Sequence, residues 1–293
     1  MIELRSLTKA YGQRPAVNEL SFTAPAGNVT GFLGPNGAGK TTTLRCLVGL
    51  AEPTSGIALI DGRPYRELQS PRRHVGAVLE STGFHPGRTG RDHLRVVARA
   101  AGLEAEPIAG LLQLVGLAAA ADRKVGGYSL GMRQRLGLAT AMLGDPGTVV
   151  LDEPGNGLDP EGVAWVRHML RTSADQGRTV LVSSHVLAEV AQVVDRVVII
   201  AAGQLVTETD LDALTGTRVL VRSNQPSAMI AALVAVGARY ETLGDGAISV
   251  TGVDTAEVGA IAQGAGVTLT ELSRQSAGET LEAMFLAATG DSR

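Results

Sequence analysis

Apolar positions along this chain fall into two alternating textures. Short, nearly continuous runs at Val29–Leu33, Val75–Leu79, Val149–Leu151, Val180–Ser183 and Val197–Ile200 read as strands buried on both faces, as in a parallel sheet. Between them the spacing turns helical: Leu94, Val97, Ala98 and Ala101 recur at i, i+3, i+4 and i+7, and Leu136, Ala139, Thr140 and Leu143 repeat it. Strands alternating with helices predict an α/β domain. Its first residues depart from that rhythm, because Ile2–Ser6 and Ala16–Phe22 flank Tyr11-Gly12 as an antiparallel hairpin. The segment from about Arg88 to Leu143 is helical by pattern almost throughout and predicts a helical subdomain inserted in the sheet.

The texture changes near Thr215-Gly216-Thr217. Downstream the pattern predicts a strand at Val219–Arg222, a helix at Ser227–Val236, strands at Arg239–Thr242 and Ile248–Thr251, a helix at Asp254–Gln263 and a strand at Val267–Leu272. That βαββαβ order matches a small ferredoxin-like unit, and a last helix is expected at Gly278–Ala288. The expected boundaries are thus residues 1–215 and 217–293.

Composition agrees with two domains: the chain has 293 residues, 44% of them hydrophobic. Its 26 basic and 29 acidic residues leave a formal charge of −3, which gives no electrostatic reason to expect a nucleic acid partner. The longest uncharged stretch, Leu20 to Gly39, is broken by polar residues, Gly and Pro, and the apolar run Ala228–Ala238 is too short for a spanning helix. The beginning, with Glu3 and Arg5 and no apolar signal core, gives no sign of secretion, and a single Cys46 excludes an internal disulfide. These features lead to the expectation of a cytoplasmic chain without its own membrane path. Cys46 is expected in packed core, and Arg72-Arg73-His74 on a solvated face.

The chemistry begins at Gly34-Pro35-Asn36-Gly37-Ala38-Gly39-Lys40-Thr41, which fits G-x-x-x-x-G-K-[ST]. It follows the strand Val29–Leu33 and opens a helix expected at Thr41–Val48, the context in which backbone N–H groups and a helix N-terminus cradle phosphate. Lys40 is placed to bridge the β- and γ-phosphates of a nucleotide, and the Thr41 hydroxyl to ligate Mg²⁺. Only Lys9, Lys40 and Lys124 among the basic residues are lysines, and one of them stands where a compact point charge is needed. The run Thr148-Val149-Val150-Leu151-Asp152-Glu153 ends an apolar strand in two acids. Alone it is an ordinary solvated strand end; after a phosphate loop, Asp152 becomes a candidate Mg²⁺ holder and Glu153 a candidate base for the attacking water.

The arrangement resembles the ATP-binding cassette (ABC) ATPases. Tyr128-Ser129-Leu130-Gly131-Met132-Arg133-Gln134-Arg135 is similar to that family's signature, LSGGQ-x-Q-R. Asn156-Gly157-Leu158-Asp159, just after Pro154, resembles its D-loop, and Ser183-Ser184-His185 ends a strand where the family has its switch histidine. The resemblance spans residues 1 to about 215. It implies an N-terminal antiparallel β region, a RecA-like parallel sheet of the P-loop NTPase kind and the helical subdomain at about 88–143, with the small α+β unit following. Ser129 and Gly131 at a helix start form a second anion-binding surface, which by resemblance closes on the γ-phosphate held by another copy, in a head-to-tail dimer with two ATP molecules. Tyr11 lies where the family stacks an aromatic on adenine, with Val17 packed nearby. By the same resemblance Gly34 to Thr42, including Thr42 itself, surround the phosphates, and His185 holds the γ-phosphate and the Glu153–water geometry.

Two departures stand out. Glu80 replaces the usual Gln at the end of the strand Val75–Leu79, and as a hard oxygen donor it is expected to ligate Mg²⁺. In the signature, Leu130 replaces a Gly and Met132 the Gln, while Ser129 and Gly131 are kept. Both variants look like the branch of bacitracin, daunorubicin and other drug exporters, whose permease is a separate chain. This implies docking near Glu80, Gly83 and Phe84 at the cytoplasmic face of a membrane. Two rival classes fit less of the chain. Soluble cassette ATPases acting on ribosomes or DNA, by resemblance, usually carry two cassettes in one chain or a long coiled-coil insertion, whereas this sequence shows one cassette and no sustained heptads. The second is a P-loop GTPase or small-molecule kinase; a GTPase is expected to carry Asn-Lys-x-Asp, which none of the three lysines supplies. The unit at 217–293 holds no catalytic constellation; a part in dimerisation, regulation or plain packing stays open.

Overall fold

A computed structural model describes residues 1–79, 83–103, 108–185, 191–211, 218–244 and 246–274. These divide into two compact units between Thr209 and Asp210. In the first, β1 (Ile2–Tyr11) and β2 (Arg14–Ala24) form the antiparallel hairpin, Tyr11 pairing with Arg14 across a turn at Gly12. A second sheet contains β3 (Val29–Leu33), and β4 (Ser55–Ile60) returns to the first, giving the order β2-β1-β4. The second sheet is completed by β5 (Val75–Val78), β6 (Thr148–Asp152), β7 (Thr179–Ser184), β8 (Arg196–Ala201) and β9 (Gln204–Asp210), in the order β5-β6-β7-β3-β8-β9. The pairs from β5 through β8 are parallel.

Strands β4 and β9 were not expected from the sequence. Each exposes its first three residues, and neither shows a regular alternation of buried and exposed positions. Strand β9 is fastened by Glu208, which accepts from the backbone and hydroxyl of Thr23 on β2, both at 3.1 Å, and from Arg196 at 2.9 Å.

Helix α1 (Lys40–Leu47) lies between the two sheets, touching β1, β2 and β4 of one and β6 of the other. Its Leu44, Cys46 and Leu47 are buried with Leu7, Val17, Leu20, Phe22, Phe32, Val150 and Ile200. Each large aliphatic or aromatic group so buried contributes about 1.5–3 kcal/mol. The rings of Phe22 and Phe32 stack at 5.2 Å and join the sheets directly.

Short α2 (Pro71–His74) leads into β5. The inserted helical layer comprises α3 (Gly90–Ala100), α4 (Ile108–Leu114) and α5 (Leu130–Ala141), while α6 (Pro160–Asp175) packs on β7 and β3. The layer has its own core of Leu94, Ala98, Leu112, Val115, Leu117, Tyr128, Leu136 and Leu143. It is less helical than its apolar spacing suggests, for residues 115–129 run through turns and two single 3₁₀ turns, Ala118–Ala120 and Val125–Gly127.

The second unit contains β10 (Arg218–Ser223), α7 (Pro226–Ala235), β11 (Arg239–Thr242), β12 (Ile248–Thr251), α8 (Thr255–Gly264) and β13 (Leu269–Arg274). Its antiparallel sheet has the order β11-β12-β10-β13. Val219, Val221, Met229, Leu233, Ile248, Val250 and Val258 fill its core, and Asp254 and Glu257 form a capping box on α8. The helix expected at Gly278–Ala288 and the boundary at Thr215–Thr217 lie outside the described residues.

His93 on α3 is buried beside Phe84, the rings meeting edge to face at 4.9 Å, and neither ring nitrogen has a partner among the described residues. Burial first, then the nearby charges of Arg88 and Arg72, holds its pKa below the ordinary value. The unfolded chain therefore binds the proton more readily, so the neutral form's contribution to stability is complete above about pH 6.5 and declines as pH falls below that. Replacing His93 by Phe is expected to flatten the acid-side fall of the thermal midpoint relative to wild type; equal slopes for the two chains would refute this.

Candidate nucleotide-binding site

The loop from Gly34 to Gly39 joins β3 to α1, and two close approaches fix its path. A Cβ on Gly34 would stand 2.5 Å from the Ile200 carbonyl oxygen. One on Gly39 would stand 2.4 Å from the Ala16 carbonyl oxygen, at a residue whose φ of 102° already requires glycine. The turn between β8 and β9 supports the loop from behind, since Gly203 N–H donates to the Ala38 carbonyl at 3.0 Å and the Gly203 carbonyl accepts from Asn18 N–H at 2.8 Å. Ala38 N–H closes the turn onto the Pro35 carbonyl at 3.1 Å, leaving Asn36 and Gly37 exposed at the tip.

Gly39 caps α1 without a side-chain acceptor, and the first turn carries no acid. The leading N–H groups of a helix have no intrahelical partner, so Lys40, Thr41 and Thr42 offer theirs to an anion at the positive end of the helix dipole. Lys40 is almost wholly buried, donating to the Gly34 carbonyl at 2.7 Å and the Pro35 carbonyl at 3.3 Å. Desolvation lowers its pKa, and the carboxylates of Glu153 and Asp152 work against that shift. This cradle fits the phosphates of a nucleotide: glycine-limited backbone, uncapped donors and one cation.

Two strand ends bring the acids to it. Thr41 Oγ1 donates to Asp152 Oδ2 at 2.6 Å, and the Ser183 hydroxyl, at the end of β7, donates to Asp152 Oδ1. Glu153 lies just past β6 with φ of 49°, a left-handed backbone costing on the order of 1–2 kcal/mol in a non-glycine residue. Its N–H is held by the Ser183 carbonyl at 3.2 Å and hydroxyl at 3.0 Å. Its half-buried carboxylate gathers three partners: Lys40 Nζ at 3.7 Å, His185 Nδ1 at 3.1 Å and the Asn156 amide, which donates to Oε2. Thr41 and Asp152 supply the hard oxygen donors that suit Mg²⁺; no larger cluster of His, Cys, Asp and Glu able to hold a metal occurs among the described residues. Glu80 lies outside those residues.

Ser129 caps α5, its hydroxyl accepting from Met132 N–H at 3.2 Å, and Gly131 sits in the first turn. Leu130 is half exposed and packs on Gly157. Buried Gln134 donates to the Pro154 carbonyl at 3.1 Å, tying α5 to the segment that follows Glu153. Tyr11 is exposed beside the hairpin turn, with Lys9 Nζ 5.0 Å from its ring centre and held by the Glu52 carbonyl. Val17 is placed differently from expectation: it is wholly buried behind the loop, with Cγ2 3.3 Å from where a Gly39 Cβ would be. Its position supports the loop's backbone and does not present the side chain to a base. The motifs holding Ser183, Asn156 and Gln134 do not reveal these contacts, because each acts across 3 to 31 positions of chain through side-chain geometry.

A parallel sheet with this loop, a helix directly behind it and two acids at the end of β6, separated from β3 by β7 alone, define a P-loop nucleotide hydrolase. The sequence profile of the ABC transporter family matches residues 17–156, and that of a domain of unknown function, DUF8746, matches residues 217–282. The chain is 43% identical over 209 residues to an uncharacterized ABC transporter ATP-binding protein, YhcH of Bacillus subtilis (strain 168), covering 70% of this chain and 68% of that one. It is 41% identical over 217 residues to the bacitracin transport ATP-binding protein BcrA of Bacillus licheniformis, covering 73% and 71%. A solved ATP-binding subunit of an ABC transporter superposes with a TM-score of 0.67 at 27% identity, over 73% of this chain and 91% of that one. The chain belongs to the ABC transporter family, as an ATP-binding, ATP-hydrolysing subunit.

Gly39→Ala is expected to keep the fold and bind a fluorescent ATP analogue roughly 5- to 150-fold more weakly, from about 1–3 kcal/mol of strain at the loop. Affinity equal to wild type would contradict the close approach to Ala16.

Proposed function

We propose that this chain powers export of an amphipathic compound, such as a peptide antibiotic or drug, through a permease on a separate chain, and that two copies work head to tail around two MgATP. The observation that carries the catalytic part is the convergence of Lys40, Thr41, Asp152, Glu153 and His185 at the N-terminus of α1. The relation to BcrA, named for bacitracin transport, supports the substrate class. No helix among the described residues is long and apolar enough to cross a membrane, so the proposal puts the membrane path in the partner and this chain at the cytoplasmic face.

Each group has a physical role in hydrolysis. The N–H groups of Gly39 to Thr42 and the Lys40 ammonium hold the β- and γ-phosphates and take up charge as the bond between the γ-phosphorus and the bridging oxygen breaks. Thr41 and Asp152 would hold Mg²⁺, and Glu80 is expected from its place in the sequence to be a further donor. When bound, Mg²⁺ supplies positive charge to the phosphate oxygens. Glu153 accepts the proton of the attacking water. His185, with its proton on Nδ1, donates to Glu153 Oε2 and keeps that carboxylate turned toward the loop. Tyr11 stacks on the adenine face opposite Lys9.

Ser129 and Gly131 receive the γ-phosphate held by the second copy, so binding of ATP closes the pair and hydrolysis reopens it. The 217–293 unit, whose strand order β11-β12-β10-β13 is that of a ferredoxin-like sheet, serves as an accessory domain to the cassette at 1–215.

Glu153→Gln is expected to lower ATP turnover by roughly 10²–10⁴ while retaining ATP binding, and to elute as a dimer only when MgATP is present. A variant that turned over ATP at the wild-type rate, or stayed monomeric at saturating MgATP, would defeat the proposal.

A further inference from the structure

Ser183 sits on β7 directly opposite Asp152 of β6 in the parallel register, with its side chain wholly inside the protein. A hydroxyl in a buried strand is costly unless it is bonded, and this one is bonded in both directions. It donates to Asp152 Oδ1 and accepts from Glu153 N–H at 3.0 Å, while the Ser183 carbonyl takes the same N–H at 3.2 Å. The other Asp152 oxygen accepts from Thr41, so the carboxylate is held by one hydroxyl from the phosphate loop's helix and one from β7. Neighbouring Leu181 and Val182 on β7 are apolar and equally enclosed, which shows that the strand itself asks for no hydroxyl.

The second bond meets a specific mechanical need. Glu153 turns with φ of 49°, and this left-handed residue aims its carboxylate at Lys40 and His185. A residue in that region persists only where surrounding groups over-determine it. The two acceptors on its N–H, both supplied by Ser183, are such groups.

We propose that Ser183 is a positioning residue for ATP hydrolysis: its hydroxyl fixes the rotation of the Asp152 carboxylate and holds the turned peptide of Glu153, keeping the metal-facing oxygen and the proton acceptor at one separation. The proposal rests on the roles of Asp152 and Glu153 given above. Ser183 touches neither nucleotide nor water; it acts through the two acids. Loss of the hydroxyl therefore leaves the phosphate cradle intact and disturbs the chemical step and the use of Mg²⁺.

The test uses the purified full-length chain with Ser183→Ala, Ser183→Thr, Glu153→Gln and the Ser183→Ala/Glu153→Gln double variant. Turnover, affinity for a fluorescent ATP analogue, the Mg²⁺ concentration giving half-maximal rate, and thermal midpoint are measured for each. Ser183→Ala is expected to lower kcat roughly 10- to 100-fold with analogue affinity within about threefold of wild type, and to raise the Mg²⁺ requirement. Ser183→Thr, which keeps the hydroxyl, is expected to recover most of the rate; should it not fold, Ser183→Cys is expected to fall between wild type and Ser183→Ala. On the Glu153→Gln background, Ser183→Ala is expected to add clearly less than its loss in the wild-type chain, since the part acting through Glu153 is already gone and only the part acting through Asp152 remains.

Ser183→Ala with wild-type kcat overturns the proposal. So does loss of analogue binding in step with kcat, a replacement hydroxyl or thiol that recovers nothing, or a full multiplicative loss in the double variant. The outcomes separate this proposal from the reading beneath it. An active Glu153→Gln chain removes the role of Glu153 itself, whereas an inactive one beside an unimpaired Ser183→Ala chain removes only the role of Ser183.

Discussion

The seating of α1 between two sheets governs the site, because a helix buried along its length leaves its N-terminus nowhere to move. Leu44 and Leu47 lie in the core with Phe32 of the parallel sheet and Leu20 of the antiparallel one. The chain that enters the helix must therefore pass within van der Waals reach of Ile200 and Ala16, where only glycine fits. A loop so confined presents its N–H groups in one arrangement before any ligand arrives. Little conformational freedom is left to lose on binding phosphate, which is what preorganisation means energetically. The antiparallel region thus does more than cover a face: through Ala16 and Val17 it forms the wall against which the loop is set.

A second constraint follows from parallel pairing. Neighbouring strands β6 and β7 end together, so Asp152 comes opposite Ser183 and the residues just beyond them, Glu153 and His185, meet. The carboxyl ends of parallel strands are where α/β folds gather their chemistry. Lys40 lies among these groups, its charge disfavoured by burial and favoured by the two acids. The same acids repel a phosphate, and the ammonium and helix dipole offset that repulsion. Gln134 joins the signature helix to the segment after Glu153 through a buried hydrogen bond.

Much of this was legible in the sequence, for a physical reason. The phosphate loop, the acid-ended strand and the signature helix are local: each consists of contiguous residues whose spacing is the signal, and β3, β11 and β12 begin and end where the sequence pattern places them. What was not legible is what depends on partners distant in the chain. Strands β4 and β9 expose half or more of their residues and owe their form to pairing with β1 and to Glu208. Val17 reads as an apolar residue near a loop whether it faces the ligand or supports the loop, and only the fold separates the two. Ser183 looked like the end of a strand, since the hydroxyl's meaning comes from Asp152, 31 positions away.

The central claim is that one copy's loop and acids, with Ser129 and Gly131 of a second copy, form a single phosphate site. The most direct measurement is an experimental structure of the full-length chain with Mg²⁺ and a non-hydrolysable ATP analogue. The account predicts a two-fold dimer with each γ-phosphate between Lys40 of one copy and Ser129 of the other, the metal touching Thr41 and facing Asp152, and Glu153 directed at the γ-phosphate. A nucleotide bound away from the Gly34–Thr41 loop, or a closed dimer with Ser129 remote from phosphate, would contradict it.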